Sequence, residues 1–209
     1  MIRRIFGFYS LPLRILTSPI KGFYEMKFEN QGTMRLALFN YLVLCISLAF
    51  MTQYTSILAV PRHPLAMHSV WQFVQTTIVL VLFCASNWAV TSLTDGEGKL
   101  KEIFMTVCYA MTPIILLTIP ATIFSNMLSI QEMAFFNLLI SLSVFWFVML
   151  VFVGLIVIHN YTVTKAITTA IFTFVALLII VFLITLMFTL IELLYVFIWS
   201  INRELTFRV

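Results

Sequence analysis

The sequence predicts an all-α fold: a polytopic bundle of five transmembrane helices, with an interfacial amphipathic segment at the N-terminus and an overlong last helix. Three observations carry this. The chain of 209 residues is 62% hydrophobic and only 10% charged, with mean hydropathy +1.09, whereas a soluble domain carries about a quarter charged residues. Five apolar runs each reach the ~20 residues that a helix needs to cross the hydrocarbon. The runs are continuous rather than short and alternating, which excludes a β-barrel.

The elements follow in order. Residues 1–35 are basic and aromatic. Arg3, Gly7, Ser10, Arg14, Thr17 and Lys21 recur near the helical period, with Phe6, Tyr9, Leu13 and Leu16 between them. That pattern suits a helix lying in an anionic lipid interface, split or kinked at Pro12; a disordered basic tail is the alternative. No short apolar core follows the first charges, so no cleaved signal is expected. The spans run over 36–58, 70–93, 103–124, 133–158 and 167–198. They form one membrane domain, 36–201, followed by a short tail, 202–209. From Ile167 to Ile201 a continuous helix reaches roughly 50 Å against a hydrocarbon core of about 30 Å. Either its far third leaves the bilayer and packs back on the protein or the interface, or it forms a re-entrant hairpin.

Direction follows from Lys and Arg in the loops. A five-span topology puts nine of them on the side of the N-terminus and of the 94–102 loop, and three (Arg62, Arg203 and Arg208) on the other. The N-terminus is therefore cytoplasmic and the C-terminus outside.

Motifs bearing chemistry are scarce. Asp95, Gly96, Glu97, Gly98 and Lys99 contain a GxG without the remaining length or the GK[ST] of a phosphate loop. They read as a charged turn with both glycines at positive φ, and the charges make them candidates for docking a partner. Cys45, Cys84 and Cys108 lie in apolar runs without CxxC spacing, so neither a disulfide framework nor a metal site is expected. His63, His68, His159 and Glu132 show no metal-ligand spacing, and no HExxH or GxSxG occurs. The middles of the spans lack Asp, Glu, Lys and Arg, the usual marks of an ion path. Gln53, Gln75, Asn87 and Asn137 read as helix-joining polar groups. Pro113 and Pro120 divide the third span as packing kinks; a break around a binding site at Pro113 is the sharper alternative. The fourth span offers Phe135, Phe136, Phe145, Trp146, Phe147 and Phe152 as a lipid-facing contact surface.

An ordered set of short pieces now completes a resemblance. It contains Pro19, Gly22 and Phe23, with Glu25 and Lys27; Asn87 and Trp88, leading into the 95–99 turn; and Tyr109 and Pro113. Ser125, Asn126 and Glu132 follow, then His159, Tyr161 and Lys165, and finally Arg203 and Glu204. The chain resembles bacterial members of the Yip family, the Ypt/Rab-GTPase-interacting membrane proteins, over nearly its full length. The resemblance implies a five-helix membrane domain. Eukaryotic relatives act in vesicle traffic with Rab GTPases and carry a longer polar N-terminal region that this chain lacks, which counts against GTPase binding. Bacterial relatives look like accessory proteins, some associated with ABC transporters.

The resulting reading is a non-enzymatic, multi-pass accessory protein of a bacterial plasma membrane. Its partners are the lipid bilayer and another membrane complex, an ABC transporter. No cofactor, metal, catalytic residue or nucleic-acid partner is expected. The alternatives are a small-solute transporter or channel, with a path along Gln75, Asn87 and the Pro113 break, and a membrane-shaping or trafficking-type protein acting through its amphipathic ends.

Overall fold

A computed structural model describes residues 10–56 and 69–207. The expectations that involve Arg3, Phe6, Gly7, Tyr9, Arg62, His63, His68 and Arg208 fall outside this range. Among the described residues the fold is all-helical, without strands, and five helical segments are long and apolar enough to cross a membrane.

Two short helices, α1 (Ser10–Thr17) and α2 (Pro19–Lys27), precede the first span. The expected split at Pro12 is corrected: α1 runs through Pro12, and the break falls at Ser18, with φ −141° and ψ 75°. Pro19 disfavours helical backbone at the residue before it and suits the first turn of α2. The apolar face of α1 also differs from expectation. Leu11 and Ile15 are buried, whereas Leu13 is 41% exposed. The reason is tertiary: α1 and α2 dock on one another and on the bundle, so the protein interior selects the buried face. Gly22 permits the close approach, since a Cβ there would lie 2.6 Å from Ile15 Cγ1. Arg14 and the buried Glu25 form an ion pair across the two helices.

The first span, α3 (Met34–Tyr54), starts at Thr33, whose hydroxyl accepts the Leu36 N–H at 3.4 Å, satisfying one of the donors that a helix start leaves open. The second is α4 (Ser69–Leu93). The third is interrupted at Met111, before Pro113, into α5 (Leu100–Ala110) and α6 (Thr112–Ser125); the expected division at Pro120 is corrected, since α6 runs through it. Pro113 lacks the N–H that would meet the Tyr109 carbonyl, and Thr112 Oγ1 donates to that oxygen instead, at 2.7 Å. Asn40 Nδ2 donates to the neighbouring Cys108 carbonyl at 2.6 Å. The carbonyl freed by Pro113 and its neighbour thus both have side-chain donors inside the bundle, as the hydrocarbon demands.

A single 3₁₀ turn, Ile130–Glu132, leads into α7 (Met133–His159), which packs on α2, α5 and α6. Gly154 allows this, since a Cβ there would lie 2.4 Å from Thr106 Cγ2 and 3.0 Å from Phe23 Cζ. The aromatic set of α7 divides: Phe135, Phe145 and Trp146 are exposed, while Phe136 is buried and Phe147 and Phe152 turn partly inward.

The last helix, α8 (Val163–Phe207), is continuous for 45 residues, about 67 Å long. It makes no hairpin. Ala166, Thr169 and Thr173 are buried as α8 packs on α4. Every residue over 181–203 is exposed, so the far third does not pack back on the protein. Length contributes to this: α8 is longer by 20 residues than α4, the helix it packs on.

Candidate functional site

The residues singled out from the sequence gather chiefly at one end of the bundle, where α4 turns into α5 and α7 turns into α8. After Leu93 the Thr91 carbonyl accepts the N–H of Thr94 at 3.3 Å and of Gly96 at 2.9 Å. The chain reverses at Asp95, the left-handed residue of the turn, with φ 53°. This corrects the expectation that Gly96 and Gly98 take positive φ; neither does.

Crowding, not φ, requires those glycines. A Cβ on Gly96 would lie 2.6 Å from Tyr161 Oη and 2.7 Å from His159 Nδ1; one on Gly98 would lie 2.6 Å from His159 Cε1. The Gly98 N–H donates to His159 Nδ1 at 3.2 Å. Nδ1 is therefore the acceptor and Nε2 carries the proton of the neutral ring. His159 is buried, and Nε2 has no hydrogen-bond partner among the described residues. Its ring stacks on Tyr161 with centroids 5.2 Å apart. Tyr161 Oη is 2.8 Å from Thr94 Oγ1 and donates to the Thr94 carbonyl at 3.1 Å. Asn160, at φ 54°, is the left-handed cap that ends α7 and brings these two rings onto the turn.

Two lysines complete this end. Lys27 Nζ donates to the Ile158 carbonyl at 2.6 Å and reaches Glu97 Oε2 at 3.3 Å. A cation at the C-terminal carbonyls of α7 meets the negative end of the helix dipole. Lys165 Nζ lies 4.6 Å above the Tyr161 ring. Tyr109 Oη donates to the Thr33 carbonyl at 2.8 Å and accepts the Thr33 N–H at 3.1 Å, tying α5 to the start of α3.

The five turn residues thus divide by task. Gly96 and Gly98 face the His159–Tyr161 pair, while Asp95, Glu97 and Lys99 are exposed. The result is a small charged rim on a backbone held by neutral hydrogen bonds and ring contacts.

The remaining positions lie elsewhere. Ser125 Oγ accepts the Ser56 N–H at 3.1 Å, and Asn126 Nδ2 donates to the Tyr54 carbonyl at 2.8 Å. Glu132 accepts both the Ser129 N–H and its hydroxyl, at 3.0 and 2.8 Å. These three terminate helices at the opposite end. Within the bundle, Asn87 Nδ2 donates to Thr173 Oγ1 at 3.2 Å, joining α4 to α8, while Trp88 is exposed. Gln53 Nε2 donates to Ser69 Oγ at 3.0 Å, joining α3 to α4.

Sequence reasoning missed Asn40, which is 0% exposed and bridges to the α5–α6 break. Its signal was available: a carboxamide inside an apolar run, which must find a partner. Thr91 and Thr94 had no such signal, because threonine is common at helix ends. Among the described residues no three His, Cys, Asp or Glu side chains gather in a way that could hold a metal ion.

An all-α bundle of five apolar spans whose two loop turns lock together at one end defines a multi-pass integral membrane protein. The chain belongs to the Yip family: the Yip1 domain model matches residues 13–186. No curated protein and no solved structure matches it.

Proposed function

We propose that the chain is a non-enzymatic accessory protein of a bacterial plasma membrane that holds another membrane complex through the turn end of its bundle. The observation that supports this is the division of labour at 95–99: Asp95, Glu97 and Lys99 stand exposed on a backbone whose glycines leave no room for side chains. A rigid charged rim binds without losing loop entropy on contact. The resemblance favours an ABC transporter as the partner, with the exposed Phe135, Phe145 and Trp146 of α7 adding lateral contact in the bilayer, where packing drives helix association. The rim and the N-terminus face the cytoplasm and the C-terminus lies outside.

Purification from native membranes in mild detergent tests this. A transporter permease or its ATPase is expected to co-purify. The double variant Asp95→Asn, Lys99→Gln is expected to abolish retrieval without lowering the melting temperature. Asn tolerates the left-handed position, and Glu97 is kept because the side chain of its partner Lys27 is only 10% exposed. Retrieval unaffected by the variant would move the contact away from the rim. Saturable solute uptake by the purified protein in liposomes would overturn the accessory role in favour of transport. For sidedness, a cysteine at Thr94 is expected to label only from the cytoplasm and one at Ser129 only from outside.

A further inference from the structure

Helices α3 to α8 do not close on one another. Between them lies a cavity of about 690 Å³, with Leu48, Phe83, Met111 and Phe147 among its walls. This is the volume class of small-molecule sites, about 300–1,000 Å³. Its lining includes Val79 and Val148, which are 64% and 55% exposed, so the cavity is continuous with the surface that the spans present to lipid.

The chemistry of the walls selects the occupant. The polar residues of the lining are Gln75, Thr76, Thr118 and Ser143; Ser143 Oγ donates to the Ile140 carbonyl at 2.7 Å and Thr76 Oγ1 to the Gln72 carbonyl at 2.9 Å. The Ser143 and Thr76 hydroxyls are thus satisfied within their own helices, and the rest of the lining is apolar apart from Gln75 and Thr118. Water would gain few partners here, and an apolar void stays dry. A polar solute would lose its hydration with little in exchange. Of the residues suggested for a solute path, Gln75 lines the space, whereas Asn87 and Pro113 do not. Left empty, such a space would deprive its walls of packing partners. Something apolar has to fill it, and the surface with which it is continuous faces hydrocarbon.

We propose that the cavity is a binding site for the acyl chain of a bilayer phospholipid, entering between α4 and α7 past Val79 and Val148 and reaching Met111 at the helix break. This site is independent of the charged rim and of the partner proposed for it.

The test uses the full chain in phosphatidylethanolamine–phosphatidylglycerol vesicles containing a phosphatidylcholine with a diazirine within one acyl chain. After illumination, adducts are mapped by mass spectrometry. Adducts are expected at Met111, which is 6% exposed, as well as at Phe182, which is 63% exposed on α8. Val148→Trp and Val79→Trp each narrow the entrance from a position that is already exposed and so leave folding intact. Each is expected to remove the Met111 adduct while that at Phe182 persists. Adducts at Phe182 with none at Met111 would overturn the proposal, because the cavity would then be closed or filled by protein. Met111 adducts unchanged in both entrance variants would overturn it as well, by showing that the chain does not enter there.

Discussion

The interrupted span α5–α6 and the last helix α8 invert the rule familiar from soluble proteins. In the most apolar stretch of Leu100–Ser125, 61% of residues are buried inside the protein; in that of Val163–Arg203, 0% are, although α8 is the more hydrophobic helix. The interior helix carries Thr106, Tyr109, Thr112, Thr118, Thr122 and Ser125, all buried. Over 181–198 the outer helix carries Leu, Ile, Val, Phe and Met with a few polar interruptions, all exposed. In water, burial removes apolar surface from solvent; in lipid the solvent is itself apolar. What distinguishes the inside of this bundle is close approach and hydrogen bonding. Hydrophobicity marks the outside.

This contrast can be broken by substitution. The largest effect is expected where small size permits contact. Gly154→Val sets a Cβ 2.4 Å from Thr106 Cγ2 and 3.0 Å from Phe23 Cζ, and overpacking of this kind costs about 1–3 kcal/mol. A thermal melt of the detergent-solubilised protein should show a clear loss, and Thr106→Ala in the same chain should recover part of it. An unchanged melt would mean that α2, α5 and α7 are not packed as closely as described. A middle effect is expected for the buried polar bridge. Asn40→Ala removes the donors to the Cys108 carbonyl and Thr112 hydroxyl beside the α5–α6 break, for a loss of about 1–2 kcal/mol, whereas Asn40→Asp should be worse because it buries a charge. The smallest effect belongs to α8. Leu186→Ala truncates a large, exposed side chain and should move the melt by no more than about 0.5 kcal/mol. A loss there comparable with Gly154→Val would show that the outer half of α8 is covered by protein in the membrane.

The turn end carries a related lesson. The two glycines of the 95–99 stretch were legible as necessary, but the reason for them was not. A glycine in a charged turn suggests a left-handed backbone; here Asp95 supplies that conformation and the glycines supply space. His159 and Tyr161, more than sixty positions away along the chain, create the demand for it. No local signal in the turn could have named them. The ordered family pieces listed both sides of the contact without revealing that they touch.

What the sequence by itself determined is what depends on composition and local pattern. Hydrocarbon thickness sets the length of a crossing helix, so the five spans were legible from their apolar runs; a proline withholds one backbone donor wherever it sits, yet only the packed structure decided that the third span breaks before Pro113 and runs through Pro120. The continuity of α8 was foreshadowed by the absence of Gly and Pro from the run. Only the tertiary structure decided which faces turn inward. Leu11 and Ile15 rather than Leu13, Asn40 as the bridge at the break, Gly98 against His159, and the cavity between α3 and α8 all depend on which helices meet and how closely. In a soluble protein an apolar stripe announces the buried face of a helix. In a membrane nearly every face is apolar, so that signal vanishes, and burial is set by packing and hydrogen bonds formed between parts of the chain far apart in sequence.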